Sequence, residues 1–358
     1  MKQMTKDSSN LMTNNIQPLY TEAWTLNPGL SANFSTNAQS AQPGSQYPPV
    51  YTNVDPSFQY MAPSISPLNV SLRLFQSRAP LELSKSHGMS LLRRMLGSYA
   101  FMMLQKDNLP PFICPHPYSL AKERKGPCLE ALTNCASLVQ MFKTRTPANR
   151  DFVWRMIRTE QDRLWHQHHA FDRWGLVSSL QALLVYCLLR LIDQESSDND
   201  FDVSLLATCH QMSLTMARRE GNILMVDTPA RMVSDSLDLG WEDWTYHESL
   251  RRTVLCFKIL DKLVDISSVA QCTKVADFAL IPLPGSIPQW TATNEKDWRA
   301  DYELHFQSRT LHGVSDKGDL IKLQQRSSGI YSEIASWEDW LASVGDIGTV
   351  IMAMASLL

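Results

Sequence analysis

The sequence contains no C-x-x-C pair. Its seven cysteines, at positions 114, 128, 135, 187, 209, 256 and 272, are odd in number and widely spaced, and most sit in apolar runs such as Val185-Tyr186-Cys187-Leu188. Zinc ribbons, two-cysteine two-histidine fingers and six-cysteine binuclear zinc clusters need closely spaced ligands on a tight loop, so all three are excluded. The pattern fits buried thiols in a reducing compartment rather than a disulfide framework. An excess of charge is lacking too: 33 Lys and Arg stand against 36 Asp and Glu, a formal net charge of -3. Non-specific phosphate binding draws on surplus positive charge, which the chain as a whole does not offer. Glycine is scarce, at 14 of 358 residues, and neither a Gly-rich phosphate loop nor a G-x-S-x-G nucleophile elbow occurs. The longest uncharged apolar stretch, Gly175 to Leu189, spans 15 residues, short of the about 20 that a spanning helix needs. It reads as a buried helix of a soluble protein. Met1 to Tyr20 is polar and has no apolar h-region, which argues against a signal peptide.

Composition changes near residue 70. From Met1 to Asn69 the only charges are Lys2, Lys6, Asp7, Glu22 and Asp55, while eight of the 19 prolines fall there among many Ser, Asn, Gln and Thr. Such a segment cannot bury enough surface to offset its ordering entropy, so residues 1–70 are expected to be disordered. Its aromatics (Tyr20, Trp24, Phe34, Tyr47, Tyr51, Phe58, Tyr60) make short contact motifs for a partner or belong to a passive linker.

Beyond it, helical periodicity takes over. Leu91, Leu92, Met95, Leu96, Tyr99, Met102 and Met103 recur at helical spacing, and that helix must end before Leu109-Pro110-Pro111-Phe112. A second helix is expected from about Pro127 to Phe142. Thr146-Pro147 reads as an N-cap with proline at the first helical position, opening a third helix through Leu164. Trp174 to Ile192 is apolar almost all round and marks a central helix. Asn199 or Asp200 is placed to cap the next, through Leu205, Leu206, Cys209, Met212 and Met216. A further helix covers roughly Trp241 to Val264, and a short one Trp290 to Tyr302. The chain closes on Trp337-Glu338-Asp339-Trp340 and an apolar tail. No strand alternation of any length is evident, which predicts an all-α, multi-helix bundle over residues 71–358.

Three constellations have chemical potential. His166 and His169 lie one turn apart and could share a metal, but no acidic ligand stands at the spacing of an H-E-x-x-H site, and a histidine face is the simpler reading. Asp198-Asn199-Asp200-Phe201-Asp202 and the pair Asp261 and Asp265 do not form the D-D-x-x-D pattern of terpene synthase-like enzymes. Val203 also stands where their second motif needs serine, so the first group reads as a polar loop and helix cap. An all-α enzyme of that type stays a rival from another class. The third constellation is Trp241-Glu242-Asp243-Trp244 through Glu248-Ser249-Leu250-Arg251-Arg252-Thr253. On a helix Glu248 pairs with either Arg251 or Arg252, while Trp241 and Trp244 join Leu250 and Val254 in the core. The expected role of Trp241, Trp244, Glu248, Arg251 and Arg252 is structural: a wet edge that fixes how the helix docks. No catalytic, cofactor or metal residue is assigned.

This W-x-x-W-x-x-x-E-S-L-R-R-T segment resembles the regulatory region, the middle homology region, of fungal-specific transcription factors. Four more stretches resemble it in the same order: Met95 to Met103 with Leu109-Pro110-Pro111-Phe112-Ile113 and Pro115-His116, Ala131 to Gln140, Leu180 to Asp193, and Phe278 to Trp290. The likeness covers roughly residues 85–300 and is nearest to regulators found beside fungal secondary-metabolite gene clusters. It implies control of transcription in the nucleus, no cofactor, and contacts with other transcription factors or the transcription machinery, including homo- or heterodimers. Members usually carry a zinc-dependent DNA-binding module ahead of this region, and here the nearly uncharged N-terminal segment stands in its place. Arg93-Arg94, Arg218-Arg219, Arg251-Arg252 and the Lys122 to Lys125 run are too small for a DNA footprint. The expectation is therefore action on DNA only indirectly, through protein contacts. The alternative is an incomplete gene whose zinc module lies upstream of Met1.

Overall fold

The computed structural model describes residues 83–105, 108–115, 130–193, 199–220, 240–264, 282–304, 311–315, 317–326 and 329–358. The segment 1–70 expected to be disordered lies outside them, as do Lys122 to Lys125, Asp198, Asp265, Cys128, Cys272 and the stretch 278–281. Among the described residues the chain is mostly helical. The first six helices are α1 Leu83–Met102, α2 Glu130–Lys143, α3 Arg150–Gln167, α4 Arg173–Ile192, α5 Asn199–Glu220 and α6 Trp241–Leu263. Four shorter ones follow, α7 Ile287–Trp290, α8 Glu295–Leu304, α9 Trp337–Val344 and α10 Asp346–Ala355.

Helix α4 is the axis of the bundle. Its near-uniform apolar sequence leaves no solvent face, and every residue from Gly175 to Leu191 is buried. Helices α1, α2, α3, α5 and α6 all pack on it. By length and mean hydropathy (1.8) α4 could cross a membrane, yet 94% of its apolar stretch is buried by the other helices. The Asp172 side chain accepts from the Gly175 N–H at its start, and the Asp193 N–H donates to Leu189 O at its end. Ser179 and Gln181, buried on this helix, find partners within the bundle: Ser179 Oγ donates to Gly175 O, and Gln181 Nε2 to Phe112 O at 2.7 Å.

Two local expectations shift. Helix α3 starts at Arg150 with Asn149 at its N-cap, not at Thr146-Pro147. Thr146 donates its N–H to Asn149 Oδ1, so the Thr-Pro pair shapes the turn ahead of the helix. In α1, Leu92, Leu96 and Tyr99 are buried, as is Met103 just past its end, but Leu91 is 56% exposed. Arg93 instead turns inward to donate to Leu191 O.

Three strands form where none was expected: β1 Leu311–Val314, β2 Leu320–Arg326 and β3 Gly329–Ile334, antiparallel in the order β1-β2-β3. Leu311 faces Leu323 across the first ladder, and Lys322 faces Glu333 across the second. The sheet is tied to the stretch ahead of α7 by Leu283 N–H to His312 O, and the β1–β2 connection meets α10 at Gly318. That glycine has φ 86°, and a Cβ there would strike Ala355 O, so the position excludes side chains on two counts.

Candidate functional site

Helix α6 carries the five singled-out residues. Glu242 and Asp243 in its first turn suit the positive end of the helix dipole, and Arg173 at the start of α4 pairs with both, at 3.3 and 2.6 Å. One turn on, helical spacing places Glu248 three residues before Arg251 and four before Arg252. The carboxylate bonds both: Oε2 to Arg251 at 2.5 Å and Oε1 to Arg252 Nε at 2.7 Å. Oε1 also accepts the Gly285 N–H at 2.8 Å.

Arg252 completes a clasp. Its remaining nitrogens donate to Pro111 O at 3.2 Å and Gly285 O at 3.1 Å, and its guanidinium lies 4.4 Å from the centre of the Trp290 ring. Three segments far apart in sequence thus meet on one ion pair: the Pro110-Pro111 loop, α6, and the Leu283 to Trp290 stretch. The pair was expected at a wet edge. It is instead fully buried, because the loops it holds close over it.

Burial pushes the Glu248 carboxyl up, but Arg251, Arg252 and the Gly285 N–H outweigh it and hold the group below its ordinary value. Burial also pulls Arg252 down from its ordinary value, against the pull of Glu248. With a carboxylate in contact, the guanidinium stays charged, and the clasp is an ion pair.

The tryptophans do not join the main core. Trp244 is buried in a separate aromatic cluster with Cys114, Trp290, Ala292, Trp298 and Tyr302, against which the half-buried Trp241 and Ile287 pack. Trp298 stacks on Tyr302 with centroids 4.2 Å apart. Leu250 does belong to the main core, and Val254 is half-buried.

Two further ionic nodes were not anticipated. Arg190 and Asp202 are both completely buried and paired at 2.5 Å, so Asp202 is a core partner rather than part of a polar cap. The signal was Arg190 at the end of the uncharged run Trp174 to Leu189, a charge that demands a partner once buried. Asp193 accepts from Trp154 Nε1 at 2.6 Å and from Arg150, with Arg145 3.8 Å away. Burial raises this carboxyl, but these partners bring it below its ordinary value.

The histidine cluster divides. His166 and His169 are exposed, whereas His168 is buried, its Nδ1 bonded to Trp165 O and its Nε2 3.5 Å from the Gln211 amide. Among the described residues no three His, Cys, Asp or Glu side chains come together as metal ligands. The five described cysteines are all buried. Burial pushes the Cys256 thiol up to about 12 and raises Cys135 as well, so neither is an activated nucleophile.

No protein-family profile matches the chain, and neither curated proteins nor solved structures give a match.

Proposed function

We propose that this chain is a transcriptional regulator of the fungal-specific type, acting in the nucleus on a linked group of genes such as a secondary-metabolite cluster. It reaches DNA indirectly, through other transcription factors or the transcription machinery, as a homo- or heterodimer. The reading assigns it no catalytic step, cofactor or metal. One observation carries it. Three of the stretches whose order resembles the regulatory region, around Pro110-Pro111, Trp241 to Thr253 and Leu283 to Trp290, are partners in the Glu248–Arg252 clasp. Motifs shared along a sequence have a physical reason to persist together when they build one node. That three of the five stretches build one node supports the reading.

Deleting the gene should change transcript levels of neighbouring genes several-fold, while the purified chain should not retard their promoters at physiological salt. Unchanged transcripts would remove the regulatory reading. Tight, promoter-specific retardation by the chain alone would overturn the indirect mode of action.

A further inference from the structure

Helix α3 presents an outward ridge that the bundle does not cover. Phe152 is 48% exposed and Met156 37%, one turn apart, followed at helical spacing by Thr159 and Arg163. Beside this ridge stand Arg155 and Asp162, both exposed and seven residues apart, hence on the same flank two turns along. Neither side chain makes an ion pair with another described residue. Arg163, by contrast, is held by Glu160 and Glu130 at 2.7 and 3.3 Å. Asp151 and His166 are the other exposed ionisable groups on the outer side of α3.

We infer that this ridge is a self-association surface, on which α3 of a second copy packs antiparallel about a twofold axis near residue 158. The charge pattern selects this occupant. In an antiparallel pair, like flanks face each other, so Arg155 comes opposite the second copy's Asp162 and, by symmetry, Asp162 opposite its Arg155. In the same register Met156 meets the second copy's Thr159, and Phe152 covers the aliphatic stem of its Arg163. A parallel pair would turn this flank toward the opposite one, where Val153 and Glu160 are buried in their own bundle, and would leave Arg155 and Asp162 without partners. The opposed dipoles of two antiparallel helices favour the same arrangement. The 18 residues of α3 give a contact about 27 Å long, which makes a small interface and a concentration-dependent dimer. This deepens the protein-contact reading above by naming a surface. Its test measures self-association alone, so it can fail while that reading stands.

Sedimentation equilibrium of the full chain should show a monomer–dimer equilibrium. Arg155→Asp or Asp162→Arg alone turns two attractive pairs into two repulsive ones and should weaken the dimer roughly tenfold. The double variant R155D/D162R restores opposite charges and should return it to within about threefold of wild type. Phe152→Ser should weaken it while leaving the helical circular dichroism unchanged, because Phe152 lies outside the core. A monomer at every concentration, a dimer indifferent to the single reversals, or a double variant that stays as weak as the singles would each overturn the inference.

Discussion

Replacing Asp202 with alanine lowers the stability of the fold by about 3–5 kcal/mol, the cost of stranding a buried charge. That is a large share of the roughly 5–15 kcal/mol by which folded proteins exceed their unfolded states. Arg190 has no exposed atoms to carry its charge back to water, and its contacts with the Trp154 and Phe201 rings, at 4.9 and 5.9 Å, do not replace a carboxylate. The mirror-image change is milder. Arg190→Met leaves a buried carboxyl that can take up a proton, whereas arginine cannot give one up. The double variant R190M/D202L removes both charges and should recover most of the loss, since well-packed apolar pairs replace buried ion pairs with little net change. Urea unfolding midpoints at constant m-value check all three. A D202A protein as stable as wild type would mean that Arg190 finds water or another carboxylate.

Glu248→Ala should cost a comparable 3–5 kcal/mol by the same mechanism, and its effect should also be local in a recognisable way. Arg252 keeps only two carbonyls and the Trp290 ring, and the Gly285 N–H loses its acceptor. Hydrogen exchange should therefore quicken first at Gly285 and in the 282–290 stretch, ahead of α4. Glu248→Gln retains an acceptor for Gly285 but not the charge, and should fall between wild type and alanine. Uniform loss of protection along the whole bundle would show that the clasp does not tie these particular segments.

Local signals made most of this legible. The apolar run of α4 and the 3.6-residue stripes of α5 and α6 announce helices because burial dictates their pattern residue by residue. Glu248 with its two arginines was readable for the same reason, since partners three and four positions apart are neighbours on any helix. What escaped was long-range. Pro111 lies 141 residues from Arg252, and Gly285 lies 37 from Glu248, so no spacing rule links them. The burial of the clasp follows from those distant loops, which is why a wet edge was expected in its place. The sheet escaped for another reason. Leu320 and Ile321 are both buried, so β2 starts without alternation, and β1 is only four residues long. The Lys317-Gly318 turn between β1 and β2 was the better clue. On the outer face of α3, Phe152 and Met156 fit a core stripe as well as a docking ridge, and only their exposure separates the two.

Tethering tests the regulatory account most directly. Residues 1–358 fused to an unrelated DNA-binding domain should change transcription of a reporter bearing that domain's site several-fold, up or down, relative to the domain alone. A folded, nuclear fusion that leaves the reporter at the level of the domain alone would contradict it.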